Sequence, residues 1–180
     1  MSLERASQPV QAARLLICLD LRERATGQGP AARPGLRPAW QDRARDLLEH
    51  ARGAGWPVAH LLAAHSPNEK ARWRAIPGLS PTPAEPVFYA DPNDGAPSAA
   101  FLKFAGHFGS AEVLLIGHAS WPCRLDRLAL SLSDRPITVA ADAMPDAPRA
   151  AGLRLTAVRS LVRASPDLRL IPGGRKEPRP

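Results

Sequence analysis

The sequence predicts a three-layer α/β/α domain, with an open, mainly parallel sheet of five to six strands covered by helices on both faces. Two observations carry this prediction. Short apolar runs alternate along the chain with segments of helical period, the pattern of repeated strand–helix–strand units. The runs are also continuous rather than alternately polar, as expected for strands buried on both faces.

RLLICLD (Arg14–Asp20) is the first of these strands. A Gly/Pro-rich loop leads to AWQDRARDLLEHARGAG, a helix whose apolar stripe is Ala44, Leu47, Leu48 and Ala51 and which Gly53 and Gly55 end. WPVAHLLAAH (Trp56–His65) reads as the second strand, SPNEKARWRAIPGLSPTPAE as loop, and PVFYA (Pro86–Ala90) as the third strand. Ser98 is placed to cap a helix with Phe101, Leu102, Ala105 and Phe108 on one face. VLLIGH is the fourth strand, RLDRLALSLSD the helix after it, and PITVAAD the fifth strand. A helix over 153–164 and a short strand DLRLI close the domain. The expected organisation is an N-terminal extension over 1–13, one domain over 14–171, and a disordered basic tail over 172–180.

A chain of 180 residues, 44% hydrophobic and 23% charged, suits a single domain with its own core. No apolar run approaches the ~20 residues that a bilayer requires, so no membrane role is expected. The polar N-terminus and the presence of only two cysteines point to a cytoplasmic protein with reduced thiols. The net charge of +7 comes mainly from arginine, since Lys70, Lys103 and Lys176 are the only lysines. The arginines are scattered and no groove-reading motif is present, which argues against nucleic acid as a partner. A small-molecule substrate or ligand fits the composition better.

In open parallel sheets, ligands sit beyond the carboxyl ends of the strands. That rule selects Asp20, His65, Ala90 with Asp91, the His118–Cys123 loop and Asp142. Cys123 also opens a helix, where backbone N–H groups favour a thiolate and can hold an oxyanion. A nearby Asp20 would serve as proton acceptor and donor. Position alone leaves Cys123 open between a reactive thiol and a buried apolar residue. Cys18, in mid-strand, reads as core.

GHASWPC resembles the nucleophile loop of the isochorismatase-like cysteine hydrolases, with Gly117, Ser120 and Cys123 on its Gly, Thr/Ser and Cys positions. LLICLDLRE is similar to that family's first-strand motif, and ITVAADAM to its later strand, on Asp142 and Ala143. The resemblance runs from about Arg14 to Arg163. It implies a Rossmann-like topology, Cys123 as nucleophile, Asp20 as base, and an oxyanion loop of Ala119, Ser120 and Cys123 shaped by a cis peptide at Ala119–Ser120. It also implies homo-oligomers, and hydrolysis of a small amide or related C–N compound without a cofactor.

One departure stands out. The family's catalytic lysine ends the third strand, where this chain has Ala90 followed by Asp91. Arg72 or Arg74 is a candidate replacement cation. Without such a cation, the alternative is a degenerate member that binds a small molecule or protein without turnover. Pro122 has no N–H to contribute, while Trp121, His65 and His118 are candidate pocket residues. The Asp-x-His spacing of the family's metal-binding branch is missing, so no metal is expected.

Overall fold

The computed structural model of the protein describes residues 14–24, 38–64, 73–91, 93–109, 111–118, 125–145 and 153–164. The expected extension, the C-terminal tail and the DLRLI strand lie outside the described residues. Among these residues there are eight strands: β1 (Arg14–Leu19), β2 (Arg22–Arg24), β3 (Val58–Ala63), β4 (Trp73–Ala75), β5 (Val87–Ala90), β6 (Glu112–Gly117), β7 (Ile137–Ala140) and β8 (Arg154–Thr156). The helices are α1 (Ala39–Gly53), α2 (Ala99–Gly106), α3 (Leu125–Ser131) and α4 (Val158–Arg163).

Six strands form one sheet in the order β5-β3-β1-β6-β7-β8, and every pairing in it is parallel. The side-chain alternation of β1 sorts the core into two layers. Leu16 and Cys18 pack with α1 and α4, through Ala44, Leu47, Leu48, Val158 and Leu161. Leu15, Ile17 and Leu19 pack with α2 and α3, through Phe101, Ala105, Leu125 and Leu128. The predicted α/β/α sandwich is therefore present, and the Ser98 hydroxyl accepts from Phe101 N–H at 3.3 Å to cap α2. Among the described residues no helix is long and apolar enough to cross a membrane.

Three local expectations are corrected. The helix expected over 153–164 divides at Ala157. Arg154–Thr156 is drawn into the sheet by parallel pairing with Thr138–Ala140, which leaves only Val158–Arg163 helical. The strand expected over Trp56–His65 is the shorter Val58–Ala63, because Trp56 N–H donates to Ala51 of α1 at 2.9 Å and Pro57 has no N–H to pair. The segments expected as loops after β1 and β3 contribute Arg22–Arg24 and Trp73–Ala75, which pair as an antiparallel ribbon. Ile76 N–H to the Leu21 carbonyl, at 3.1 Å, fixes one end of that ribbon.

The chain builds β1, β3 and β5 outward on one side, then crosses back to place β6 against the other side of β1. The order reverses between β1 and β6. The carboxyl ends of these two strands flank the crevice in which such sheets hold ligands.

Candidate functional site

Asp20 follows β1 and His118 follows β6, so both lie at the topological switch point. The two strand ends are held together closely. His118 N–H donates to the Leu19 carbonyl at 2.9 Å. Gly117 adopts φ +107°, and a Cβ there would stand 2.1 Å from the Leu19 carbonyl oxygen. Only glycine permits this approach, so the Gly of GHASWPC has a direct steric reason.

Asp20 has φ +41°, the one positive value at a non-glycine residue among the described residues. Such a conformation costs about 1 kcal/mol, and Asp is one of the few residues that take it readily. It is held on both sides. Asp20 N–H donates to the Leu61 carbonyl at 3.0 Å, and the Asp20 carbonyl accepts from Arg22 N–H at 2.7 Å, closing a three-residue turn. The bend turns the chain from the sheet into the β2–β4 ribbon, and the Asp20 carboxylate stays buried at its foot.

Arg22 meets that carboxylate. Its Nε donates to Asp20 Oδ1 at 2.5 Å and its Nη2 donates to the Ala63 carbonyl, at the end of β3, at 2.9 Å. The side chains of both partners are largely buried, 13% exposed for Arg22 and 9% for Asp20. The Trp73 ring covers the guanidinium, with 5.8 Å between the guanidinium carbon and the ring centroid. Arg22 thus anchors Asp20 Oδ1, while Oδ2 accepts no hydrogen bond among the described residues. On the other side, the half-buried Trp40 of α1 packs edge-on against the His118 ring, with centroids 4.8 Å apart.

No protein-family model matches the chain, and no curated protein matches it in sequence. Solved structures match in shape. An N-carbamoylsarcosine amidase from Thermoplasma acidophilum is 17% identical with a TM-score of 0.55, over 81% of this chain and 96% of that one. An isochorismatase from Pseudomonas putida is 17% identical with a TM-score of 0.60, over 82% and 89%. A MAR1 ribonuclease from Caenorhabditis elegans is 17% identical with a TM-score of 0.60, over 84% and 80%. The chain has the isochorismatase-like hydrolase fold.

Within the isochorismatase-like fold, the remaining candidates separate. Ala90 ends β5 in register with Ala63 and is buried against the α2 layer. Asp91 Oδ1 accepts from Asn93 N–H at 2.7 Å, so this carboxylate closes its own turn. Asp142 Oδ1 accepts from Val158 N–H at 2.8 Å and starts α4, a structural role at a strand end. Arg74 of the ribbon is paired with Glu23 at 2.9 Å and is mostly exposed, so it is not the cation at Asp20. His65, Arg72 and the loop carrying Ala119, Ser120, Trp121 and Cys123 lie outside the described residues. Sequence reasoning missed Arg22 and Trp40. The signal for Arg22 was available as an arginine two residues after a strand-ending aspartate, but only the turn at Asp20 makes it a partner. Nothing in the local sequence marks Trp40.

A second buried polar group belongs to the opposite end of the sheet. Glu85, just before β5, receives Arg52 Nε at 2.7 Å, Arg52 Nη2 at 2.9 Å and Thr82 N–H at 3.0 Å. His60 Nε2 lies 2.9 Å from Glu85 Oε2. Burial works to raise the Glu85 pKa, but Arg52, Thr82 and His60 together hold it down to about 2. Burial lowers the His60 pKa by more than Glu85 raises it, so His60 is neutral and donates its Nε2–H. Burial pushes the Cys18 thiol upward, with Glu85 adding to the effect, which makes this cysteine inert. A cavity of about 380 Å³ lined by Trp56, Glu85, Phe104 and Phe108 opens at this end, away from Asp20. The polar atoms of Glu85 that line it are already matched by protein partners.

Proposed function

We propose that the protein is a cysteine hydrolase that cleaves the C–N bond of a small amide or related compound, with Cys123 as nucleophile and Asp20 as the proton-transfer group. The observation that carries this reading is Asp20 itself. A buried carboxylate is held in a positive-φ bend at the switch point, beside the start of the segment that carries Cys123 in sequence. The hydrolase fold supports the same reaction class.

In the proposed reaction Asp20 accepts the thiol proton and the Cys123 sulfur attacks the amide carbon. The developing oxyanion is met by backbone N–H groups of the Ala119–Cys123 loop. The C–N bond then breaks as Asp20 returns the proton to the leaving nitrogen. Water hydrolyses the thioester, releasing the acid and restoring the thiol. No metal or cofactor takes part in this scheme.

The test is ammonia release from a panel of small primary amides and carbamoyl compounds. The wild-type chain should turn over at least one of them, and Cys123→Ala should lower that rate by about a thousandfold or more. Equal rates in the variant would overturn the nucleophile assignment. Absence of release across the panel would instead favour a protein that binds its ligand without turnover.

A further inference from the structure

We infer that Arg22 is the positioning residue of this site and supplies its fixed positive charge, an inference that rests on the proposed cysteine chemistry. Three features lead to it. First, the guanidinium is the positive group that touches Asp20 among the described residues, and it uses Nε on Oδ1 so that Oδ2 is left unoccupied. Second, its Nη2 reaches across to the Ala63 carbonyl, so one planar fork ties the ends of β1 and β3 together. Third, the Trp73 ring on the β2–β4 ribbon covers the group, and the side chain is 13% exposed, which limits screening by solvent.

Ala63 is the register partner of Ala90 on β5. Ala90 carries no charge and is buried, so β5 brings no cation from its carboxyl end. Arg74 is mostly exposed to solvent, where its pair with Glu23 is screened. Among the described residues the charge at the edge therefore comes from β2, through a residue that a bend at Asp20 folds back over the strand ends. A charge so placed is expected to favour the Cys123 thiolate and any negative charge that develops on a bound substrate.

The experiment follows alkylation of Cys123 by iodoacetamide between pH 5 and 9, with mass spectrometry separating it from Cys18. Thermal unfolding of each variant is measured in parallel. In the wild-type chain Cys123 should react at least about tenfold faster than Cys18 at pH 7. Arg22→Gln should slow Cys123 about tenfold at pH 7 and move the midpoint of its rate–pH curve up by about one unit. Arg22→Lys keeps the charge but not the planar fork. It should hold the midpoint within about half a unit while lowering the rate a few-fold, a separation that a merely structural role would not produce. Arg74→Gln should react like wild type. If the Gln variant superimposes on wild type, or if Lys shifts the midpoint as far as Gln does, Arg22 is not the charge that acts. If Arg22→Gln does not fold, Arg22→Met supplies the neutral variant and is read against Lys by the same midpoint. A wild-type Cys123 no faster than Cys18 would instead overturn the nucleophile reading, and this one with it.

Discussion

The two ends of the sheet bury charge in opposite ways. Around Glu85 both carboxylate oxygens are matched, Oε1 by Arg52 Nε and Oε2 by Arg52 Nη2, His60 Nε2 and Thr82 N–H, and the group joins α1, β3 and the segment before β5. Around Glu112, at the start of β6, Arg14 at 3.2 Å, Thr138 at 2.8 Å and Arg154 close a similar network across β1, β6, β7 and β8. Both networks stand on ordinary backbone and spend their polar atoms on the fold. Asp20 sits on a strained φ, with one oxygen anchored by Arg22 and the other without a partner among the described residues. Complete matching is what a buried charge needs for stability. Incomplete matching on strained backbone, at the switch point, is the setting expected of the proton-transfer role proposed for Asp20.

The largest expected effect falls where the two strands of the switch point touch. Gly117→Ala would set a methyl 2.1 Å from the Leu19 carbonyl oxygen and 2.9 Å from Leu21 Cδ2, on a φ of +107°. The cost should be at least about 3 kcal/mol, because a backbone atom must move and the conformation is one that alanine avoids. Gly109→Ala is the control: its φ is +53° but its Cβ would meet nothing within 4 Å. That change should cost only about 1 kcal/mol. Urea unfolding midpoints of the two variants measure the difference. Equal costs would mean that the strand ends can part freely, and that the site lacks the rigidity ascribed to it.

At the opposite end, Glu85 should make stability depend on acid. Its folded pKa of about 2 lies below its ordinary value of 4.5. The stabilisation is therefore complete above pH 4.5 and is lost as pH falls from 4.5 toward 2. His60 acts in the same sense at higher pH. Because its pKa is lowered in the fold, the unfolded chain takes up a proton more readily as pH drops below 6.5, and stability declines there too. Glu85→Gln should cost about 2 kcal/mol at pH 7, toward the low side for a buried pair, since the Arg52 side chain is 27% exposed. It should also flatten the acid branch below pH 4.5. An unchanged acid branch in urea titrations from pH 7 to 2 would show that another carboxylate governs it.

How far the sequence reveals this molecule follows from which forces act locally. Continuous apolar strands and a heptad-like stripe such as Ala44, Leu47, Leu48 and Ala51 are local patterns, and the layers they predict are present. The β2–β4 ribbon is not local. It depends on two segments some fifty residues apart meeting in register, with Arg22 opposite Ala75. β8 is hidden in the sequence for a similar reason, since RLTAVRSLVR has a helical period throughout and only pairing with β7 withdraws its first residues. At the site, Asp20 was legible because it ends an apolar run. Its partner was not, because a positive φ at Asp20 decides which way Arg22 points, and no sequence pattern announces that bend. Ala90 was legible as a missing charge, whereas the charge brought in by β2 became visible only with the turn.

The smallest expected change in stability sharpens the contrast most. Asp20→Asn keeps an amide oxygen for Arg22 Nε, and asparagine tolerates the φ of +41° that this position requires. The ion pair is weakened, but no donor is orphaned, and the backbone bonds to Leu61 and Arg22 remain. Unfolding should therefore cost less than about 1 kcal/mol relative to wild type, well below the cost of Glu85→Gln. Hydrolysis of any responsive amide should nevertheless fall by about a hundredfold or more, because an amide cannot accept and return the proton. Measured together, urea midpoints and ammonia release would separate the two kinds of buried carboxylate. If Asp20→Asn were as destabilising as Glu85→Gln and left turnover intact, Asp20 would belong with the structural networks, and the proton would have to move through another group.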